Sequence, residues 1–421
     1  MSAYMLRKRI FTVLFLVVLF GYSGINALHG YPAWLNVVED TWKDQEAEQG
    51  PVPDADRLSE LVADLDAGIV ENMYHRMEFI ETYSYLQVLL DKREVNNFSY
   101  IKDEKGFLHY ASFFREDDEK IPEYARRVKR LQDCVADRGT KVIFFVTPGK
   151  YIKGESVLRR GLPVNDPDTG VDELLFYLNR FGVETIDGRM FFPNDELSGE
   201  EAFFRTDHHW TIPAAFYASQ VFVEEVKARF GDDWDPGHYY MDRANYDSVV
   251  YRRGMFGSMG RKTGANFCDV EDFEAYWPKF TRHYERESMG INDEMEELSG
   301  DTTEALMDVG ILSKGEDIYS DSQYFLYLDG IRPYEKIINT DNPEGYKVCA
   351  IRDSYFSPMI VFMMPMWGEL HAIWSLEESD RLDIEDFVKD NEFDYIIVEI
   401  YPYNINEESF RFFEEDEAEI R

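Results

Sequence analysis

Eight histidines occur in the 421 residues, and two stand side by side in Arg205-Thr206-Asp207-His208-His209-Trp210-Thr211. A general base needs an imidazole with one nitrogen on the nucleophile and the other held by an orienting acceptor, usually a carboxylate. Asp207 and His209, two residues apart, can supply that pair from one loop. An Asp-x-His on its own is more often structural or metal-related, so the reading needs a nucleophile. Ser354 offers one. It follows the apolar run Val348-Cys349-Ala350-Ile351 and precedes Tyr355-Phe356-Ser357-Pro358, which places it where a buried strand ends in a turn. A serine hydroxyl becomes nucleophilic when a base takes its proton, and at the carboxyl edge of a sheet its own N–H can help hold an oxyanion. The plain alternative for Ser354 is a helix cap.

Adjacent His208 and His209 are expected to diverge in an extended loop and have no clear third ligand, so neither a metal nor any other cofactor is expected. Cys134, Cys268 and Cys349 are the only cysteines. Their odd number leaves at least one unpaired and excludes a disulfide framework, although one bridge is possible. Cys349, inside its apolar run, reads as a buried thiol. Trp210, beside the candidate base, is the aromatic residue expected to line a site.

These side chains need a scaffold. Helices near Pro122–Asp137, Val171–Phe181, Ile212–Phe230 and Ile384–Lys389 alternate with the apolar strands Val142–Val146, Val183–Asp187, Lys347–Ile351, Glu369–Ile373 and Tyr395–Glu399. Continuous apolar strands between helices predict an α/β fold with a mostly parallel sheet covered on both faces, and its sites at the strands' carboxyl ends. Phe98–Ile101 and Phe107–Tyr110 read as a hairpin around Asp103-Glu104-Lys105-Gly106. The middle, about 231–341, shows no sustained period and reads as long excursions over the site. The acidic tail from Glu407 to Arg421 reads as a solvated helix or frayed end.

Arg7, Lys8 and Arg9 precede the apolar run Ile10–Phe20, which weakens toward Leu28. The run is intermediate between a signal peptide and a bilayer span. Cleavage after Ser23 or Ala27 would give a secreted protein, but Ile25 and Asn26 fit the second site poorly, and the segment reads as an uncleaved single-pass anchor. The basic cluster then stays inside and the rest faces the extracellular or periplasmic side. The expected organisation is an anchor over 1–30, a linker and amphipathic helix over 31–95 (polar from Glu39 to Asp56, then Leu58 to Leu90), and a catalytic domain over 96–421. Lys and Arg number 44 against 82 Asp and Glu, a net charge of −38 that excludes binding nucleic acid through a phosphate-neutralising surface.

Thr206-Asp207-His208-His209-Trp210-Thr211 resembles the signature of the DHHW family, whose relatives include the alginate O-acetyltransferases with an SGNH-hydrolase-like domain. Val146-Thr147-Pro148-Gly149-Lys150 is similar to that family's strand and Pro-x-Lys turn, Phe256-Gly257-Ser258-Met259-Gly260-Arg261 to its Gly-Ser-x-Gly segment, and Ile338-Asn339 and Ile351-Arg352-Asp353-Ser354-Tyr355 to its later Asn and Gly-Asp-Ser blocks. The likeness spans about Phe98 to Asn404. It implies a flavodoxin-like, permuted SGNH fold, with Ser354 as nucleophile, His209 as base and Asp207 as its orienting carboxylate, while His208 points elsewhere.

Asn339 and the Gly257-Ser258 segment are candidates for the second oxyanion donor, and Trp210, Arg352, Arg261 and Lys150 for substrate binding. Arg352 departs from the family's Gly and could bring positive charge near an oxyanion. The implied activity is O-acetylation of a cell-surface or exported polysaccharide, with acyl groups relayed by an integral-membrane O-acyltransferase. An acetylesterase, in which water resolves the acyl-serine, and a catalytically silent polysaccharide-binding or secretion scaffold are the alternatives. Arg205, Arg252, Arg253, Arg261, Lys262 and Arg352, all close to these blocks, lead us to expect a positive or neutral cleft within an acidic shell.

Overall fold

Helix α1, Ala3–Gln49, opens a computed structural model that describes residues 3–49 (side chains 5–36), 62–63, 65, 68–70, 72–111, 119–164, 166–194, 197–290, 294–313, 318–319, 322–375 and 382–413. The chain divides into two units, Met1–Leu86 and Gln87–Arg421. In the first, Met5–Asn36 is long and apolar enough to cross a membrane. The helix does not end near residue 30. It runs past Pro32 to Gln49, because Asp, Lys, Gln, Glu and Ala after Glu39 carry no helix breaker. The polar stretch expected as a linker therefore begins as helix, and its residues 50–56 lie outside the described residues.

The run from Leu58 to Leu90 is not one helix either. Leu58 and Leu61 lie outside the described residues, and helical turns at 68–70 give way to a turn before α2, Arg76–Leu89. His75 takes φ 59 in that turn, a left-handed conformation no helix continues through.

The second unit starts with a small antiparallel sheet, β1 (Glu94–Val95), β2 (Tyr100–Lys102) and β3 (Leu108–Tyr110). The β2–β3 turn sits at Asp103–Gly106, where Gly106 supplies φ 93. Then follow α3 (Ile121–Cys134), β4 (Lys141–Val146), α4 (Asp168–Phe181), β5 (Glu184–Asp187) and α5 (Ile212–Phe230). The middle contributes β6 (Tyr246–Met255), α6 (Ser258–Thr263), β7 (Glu271–Pro278), β8 (His283–Met289), β9 (Met295–Asp301), α7 (Thr302–Leu306) and β10 (Tyr334–Asn339). Finally come β11 (Tyr346–Arg352), α8 (Phe356–Met363), β12 (Trp367–Trp374), α9 (Ile384–Asp390) and β13 (Tyr395–Ile400).

An eight-stranded sheet in the order β5-β4-β13-β11-β12-β10-β8-β9 organises the unit. The first five strands pair in parallel, as the apolar runs require. Residues alternate between two cores: Ile143 and Phe145 of β4 face α5 and α8, while Val142, Phe144 and Val146 face α3, α4 and α9.

The other three strands are antiparallel, and the sheet is mixed. They come from the middle stretch expected as irregular excursions. The reason it was illegible is chemical: the buried positions of β8 are Tyr284, Arg286 and Ser288, so its period of two does not show as hydropathy. The tail also differs from expectation. Phe410, Phe412 and Phe413 are buried in the core beside α3 and α4, because rings outweigh the neighbouring acids once a groove is available. Residues 414–421 lie outside the described ones.

Candidate active site

Three neighbouring parallel strands, β4, β13 and β11, end at one edge of the sheet and project Gly149-Lys150, Tyr401–Asn404 and Asp353-Ser354. The loop Phe203–Trp210 closes over that edge. It is pinched by a bridge between Phe203 and Trp210 and by the Phe204 N–H donating to the His209 carbonyl at 3.1 Å. Thr211 then caps α5, its hydroxyl accepting the Ala214 N–H.

Within the loop, Asp207 acts as a hub. Its Oδ1 accepts the N–H groups of His208 (2.6 Å) and His209 (3.2 Å) and lies 2.8 Å from His209 Nδ1, while its Oδ2 accepts the Ser258 N–H at 2.8 Å. The other ring nitrogen, His209 Nε2, lies 2.7 Å from Ser354 Oγ. Hydrogen-bonded Nδ1–H on Asp207 leaves Nε2 as the acceptor of the serine proton. Tyr324 lies flat against His209, with ring centres 3.9 Å apart and planes at 16°, and its hydroxyl donates to the Ser354 carbonyl at 3.2 Å. His209 and the turn bearing Ser354 are thus held by the same side chain.

The site's electrostatics follow from burial and these contacts. Burial alone would raise the Asp207 carboxyl, but the imidazoles of His209 and His208 outweigh it and hold the group well below the usual carboxylate range. Burial, then His208, push the His209 imidazole down to about 4 against the upward pull of Asp207. At neutral pH the pair is therefore carboxylate and neutral base.

Two further residues shape the loop. Lys150 is buried, and its Nζ donates to the carbonyls of Arg205 (2.8 Å) and Asp207 (2.7 Å). Glu271 accepts the N–H groups of Arg205 and Thr206, both at 2.8 Å, and the Thr206 hydroxyl at 2.6 Å. Gly257 packs so closely on Asp207 that a β-carbon there would overlap the carboxylate.

Residues 103–249 match the family model of the SGNH hydrolase-like domain of acetyltransferase AlgX. This chain carries an SGNH hydrolase-like domain. Solved structures agree on the fold. Bacillus cereus PatB1 with a sulfonyl adduct superposes with a TM-score of 0.57 at 15% identity, covering 74% of this chain and 99% of that one. A DHHW family protein from Eubacterium siraeum gives 0.53 at 16% identity over 75% of this chain and 95% of the other. A search of curated proteins finds no match.

Several side chains of the SGNH hydrolase-like domain sit differently from expectation. His208 does not point away. Because Asp207 curls the loop, the His208 ring lies 3.9 Å from that of His209, its Nδ1 is 3.0 Å from Asp207 Oδ1 and 3.2 Å from Ser258 Oγ, and it lines the cleft. The two rings therefore do not diverge, and donor atoms of Asp207, His208 and His209 lie within 4.8 Å of one another. Both His209 nitrogens are already engaged, by Asp207 and Ser354, so a cation would have to displace one of them.

Trp210 is fully buried in the core beside Tyr355 and does not line the cleft. Asn339, also fully buried, donates its amide to the carbonyls of Met364 (3.2 Å) and Trp367 (3.1 Å), which fastens β10 to the start of β12. Ser258 supports Asp207 and His208. Lys150 binds backbone, and half-buried Arg261 is not among the cleft-lining residues.

Arg352 turns into the core and is not among the cleft-lining residues. As the last residue of β11 it follows Val348 and Ala350 onto the sheet face packed by α5 and α8. There Glu335 accepts from it at 2.5 Å, and Arg286 binds the same carboxylate. The three cysteines are free thiols.

Sequence reasoning missed the cleft itself. It has a volume of about 480 Å³ and is lined by Ser99, Tyr110, Ala111, His208, Ser354, Tyr401, Tyr403 and Asn404. Asn404 donates to Asp353 Oδ2 at 2.9 Å, and the same carboxylate accepts the N–H groups of Tyr355 (3.0 Å) and Tyr401 (2.8 Å). Asp353 therefore ties the turn bearing Ser354 to the turn after β13. Tyr401-Pro402-Tyr403-Asn404 directly follows an apolar strand, and the strand-end rule that picked out Ser354 applies equally to it.

Proposed function

We propose that this protein is an O-acetyltransferase that modifies a cell-surface or exported polysaccharide through an acyl-serine intermediate. The observation that carries the reading is the relay Asp207 to His209 to Ser354, at 2.8 and 2.7 Å, on the floor of an open cleft. The match to an acetyltransferase's SGNH hydrolase-like domain supports it.

Neutral His209 takes the Ser354 proton as Oγ adds to the donor's acyl carbon, and returns it to the leaving group as the donor bond breaks. A sugar hydroxyl then gives its proton to His209 and bonds the acyl carbon, and the Ser354 Oγ–C bond breaks with the proton going back to Oγ. Among the described residues the Ser354 N–H has no hydrogen-bond partner, and it serves as one oxyanion donor. The Asn404 amide, fixed by Asp353 beside Ser354, takes the second role in place of Asn339 and Ser258.

Helix α1 anchors the protein, its basic start inside and the catalytic unit outside, where an integral-membrane acyltransferase supplies acyl groups. An acetyl-ester assay on the full chain in detergent, with and without an oligosaccharide, tests the reading. Acetylated oligosaccharide supports transfer. Ester hydrolysis alone supports the esterase, and identical behaviour of wild type, Ser354→Ala and His209→Ala removes both.

A further inference from the structure

Around Ser354 the cleft wall closes into a ring of aromatic side chains. Tyr110 meets Tyr403 with ring centres 5.4 Å apart, Tyr403 meets Tyr401 at 5.1 Å, Tyr401 meets His208 at 5.5 Å, and His208 returns to Tyr110 at 6.1 Å. Such rings offer apolar faces to the C–H patches of a sugar and polar tips to its hydroxyls.

The described lining is neutral, one of the two outcomes the sequence leads us to expect. Among the described residues, no Lys, Arg, Asp or Glu lines the cleft, in a chain whose net charge is −38. Three of the six cations close in sequence are engaged elsewhere: the Arg205 guanidinium lies 5.4 Å from the Phe107 ring centre, Arg252 pairs with Asp272 at 2.5 Å, and Arg352 is buried on Glu335. Burial first, and then the negative charges of Asp166 and Asp168, push the Tyr403 phenol up, so it stays neutral. A polyanionic polymer would meet no counter-charge from the described lining residues and repulsion from the net charge of −38.

Resting on the transferase reading above, we infer that the Tyr110–Tyr403–Tyr401–His208 ring is the acceptor subsite and that it takes an uncharged sugar residue. His208 supplies the polar contact. Its Nδ1 is taken up by Ser258 Oγ at 3.2 Å and Asp207 Oδ1 at 3.0 Å, which leaves Nε2 for a sugar hydroxyl. The cleft volume of about 480 Å³ falls in the range of small-ligand sites, roughly 300–1,000 Å³.

The experiment acylates the full chain in detergent with p-nitrophenyl acetate and measures partition of the acyl-serine between water and three tetrasaccharides: β-1,4-linked glucose, galacturonate and glucosamine. The glucose tetramer should be acetylated with a half-saturating concentration about tenfold or more below that of either charged one, the equivalent of about 1.4 kcal/mol. Equal or better use of galacturonate or glucosamine overturns the inference, as does acetylation of none of the three by an enzyme that does form the acyl-serine. Failure to form the acyl-serine at all would instead strike the transferase reading beneath it. Tyr403→Ala and His208→Gln should each raise the half-saturating concentration of the glucose tetramer about tenfold, with Tyr403→Phe recovering most of the loss. Variants that fold as the wild type by circular dichroism and bind the tetramer equally well count against the subsite.

Discussion

His209 Nε2 lies 2.7 Å from Ser354 Oγ although 145 residues separate them in the chain. That distance joins a loop entering α5 to the carboxyl end of β11; Asp207 and Tyr324 contact His209, and Lys150 holds the Asp207 carbonyl.

Asp207→Asn should lower kcat by about three to four orders of magnitude with little change in fold. An amide has one acceptor oxygen where the carboxylate now accepts from His208, His209 and Ser258, so the imidazole loses its tautomer and its orientation. The p-nitrophenol burst measures it; a loss of less than tenfold would remove Asp207 from the relay.

The acid limb of kcat/KM should fall near pH 4. The base must be neutral, and burial with His208 beside it brings His209 to about 4. Its folded pKa lies below the unfolded value of about 6.5. Below that unfolded value the unfolded chain takes up the proton first, so this group's contribution to stability is present above pH 6.5 and is lost as pH falls from there through 4. Rates and urea midpoints measured from pH 3.5 to 7.5 check both parts, and an acid limb at 6 to 7 would contradict the assignment.

Lys150→Met should destabilise the domain by about 1–3 kcal/mol, because it leaves the Arg205 and Asp207 carbonyls buried without a donor. Burial brings the ammonium down to about 8. Folded pKa below unfolded pKa means that the unfolded chain binds more protons between pH 8 and about 10.4, so the lysine's own contribution makes stability rise with pH across that window. Urea titrations of wild type and variant at pH 7 and 9.5 should differ more at the higher pH.

Gly257→Ala should reduce kcat at least about a hundredfold while keeping most of the stability, since the new methyl group must push the Asp207 carboxylate off His209. Gly257 itself has φ −70, so the effect comes from this contact and not from backbone strain. Equal kcat for the two proteins would show that the contact is soft.

Arg352→Met should cost about 3–5 kcal/mol by stranding Glu335 beside Arg286 in the sheet core. Arg352→Lys recovers only part, as an ammonium cannot reproduce the guanidinium's bonds to Glu335 and Ser357. Urea midpoints at constant slope measure both. A change in preference between charged and neutral acceptors would place Arg352 nearer the cleft than its buried pair does.

Much of this protein can be read without coordinates. The apolar runs of β4, β11, β12 and β13 declare a parallel sheet buried on both faces, and strand-end logic puts Ser354 at its edge. Asp207 and His209 announce themselves because two residues of chain suffice to bring a carboxylate to an imidazole. The rest depends on directions that hydropathy does not encode. Arg352 and Ser354 are two residues apart, yet the strand pleat and the turn send one into the core and the other into the cleft. His208 faces the cleft because Asp207 bends the loop, and β8 hides its period because the sheet core there is built on a buried ion pair between Arg286 and Glu335. The aromatic ring around Ser354 gathers residues from β3, the loop before α5 and the turn after β13. Only the tertiary structure brings them within ring contact, since contacts made across strands obey sheet register and not spacing along the chain.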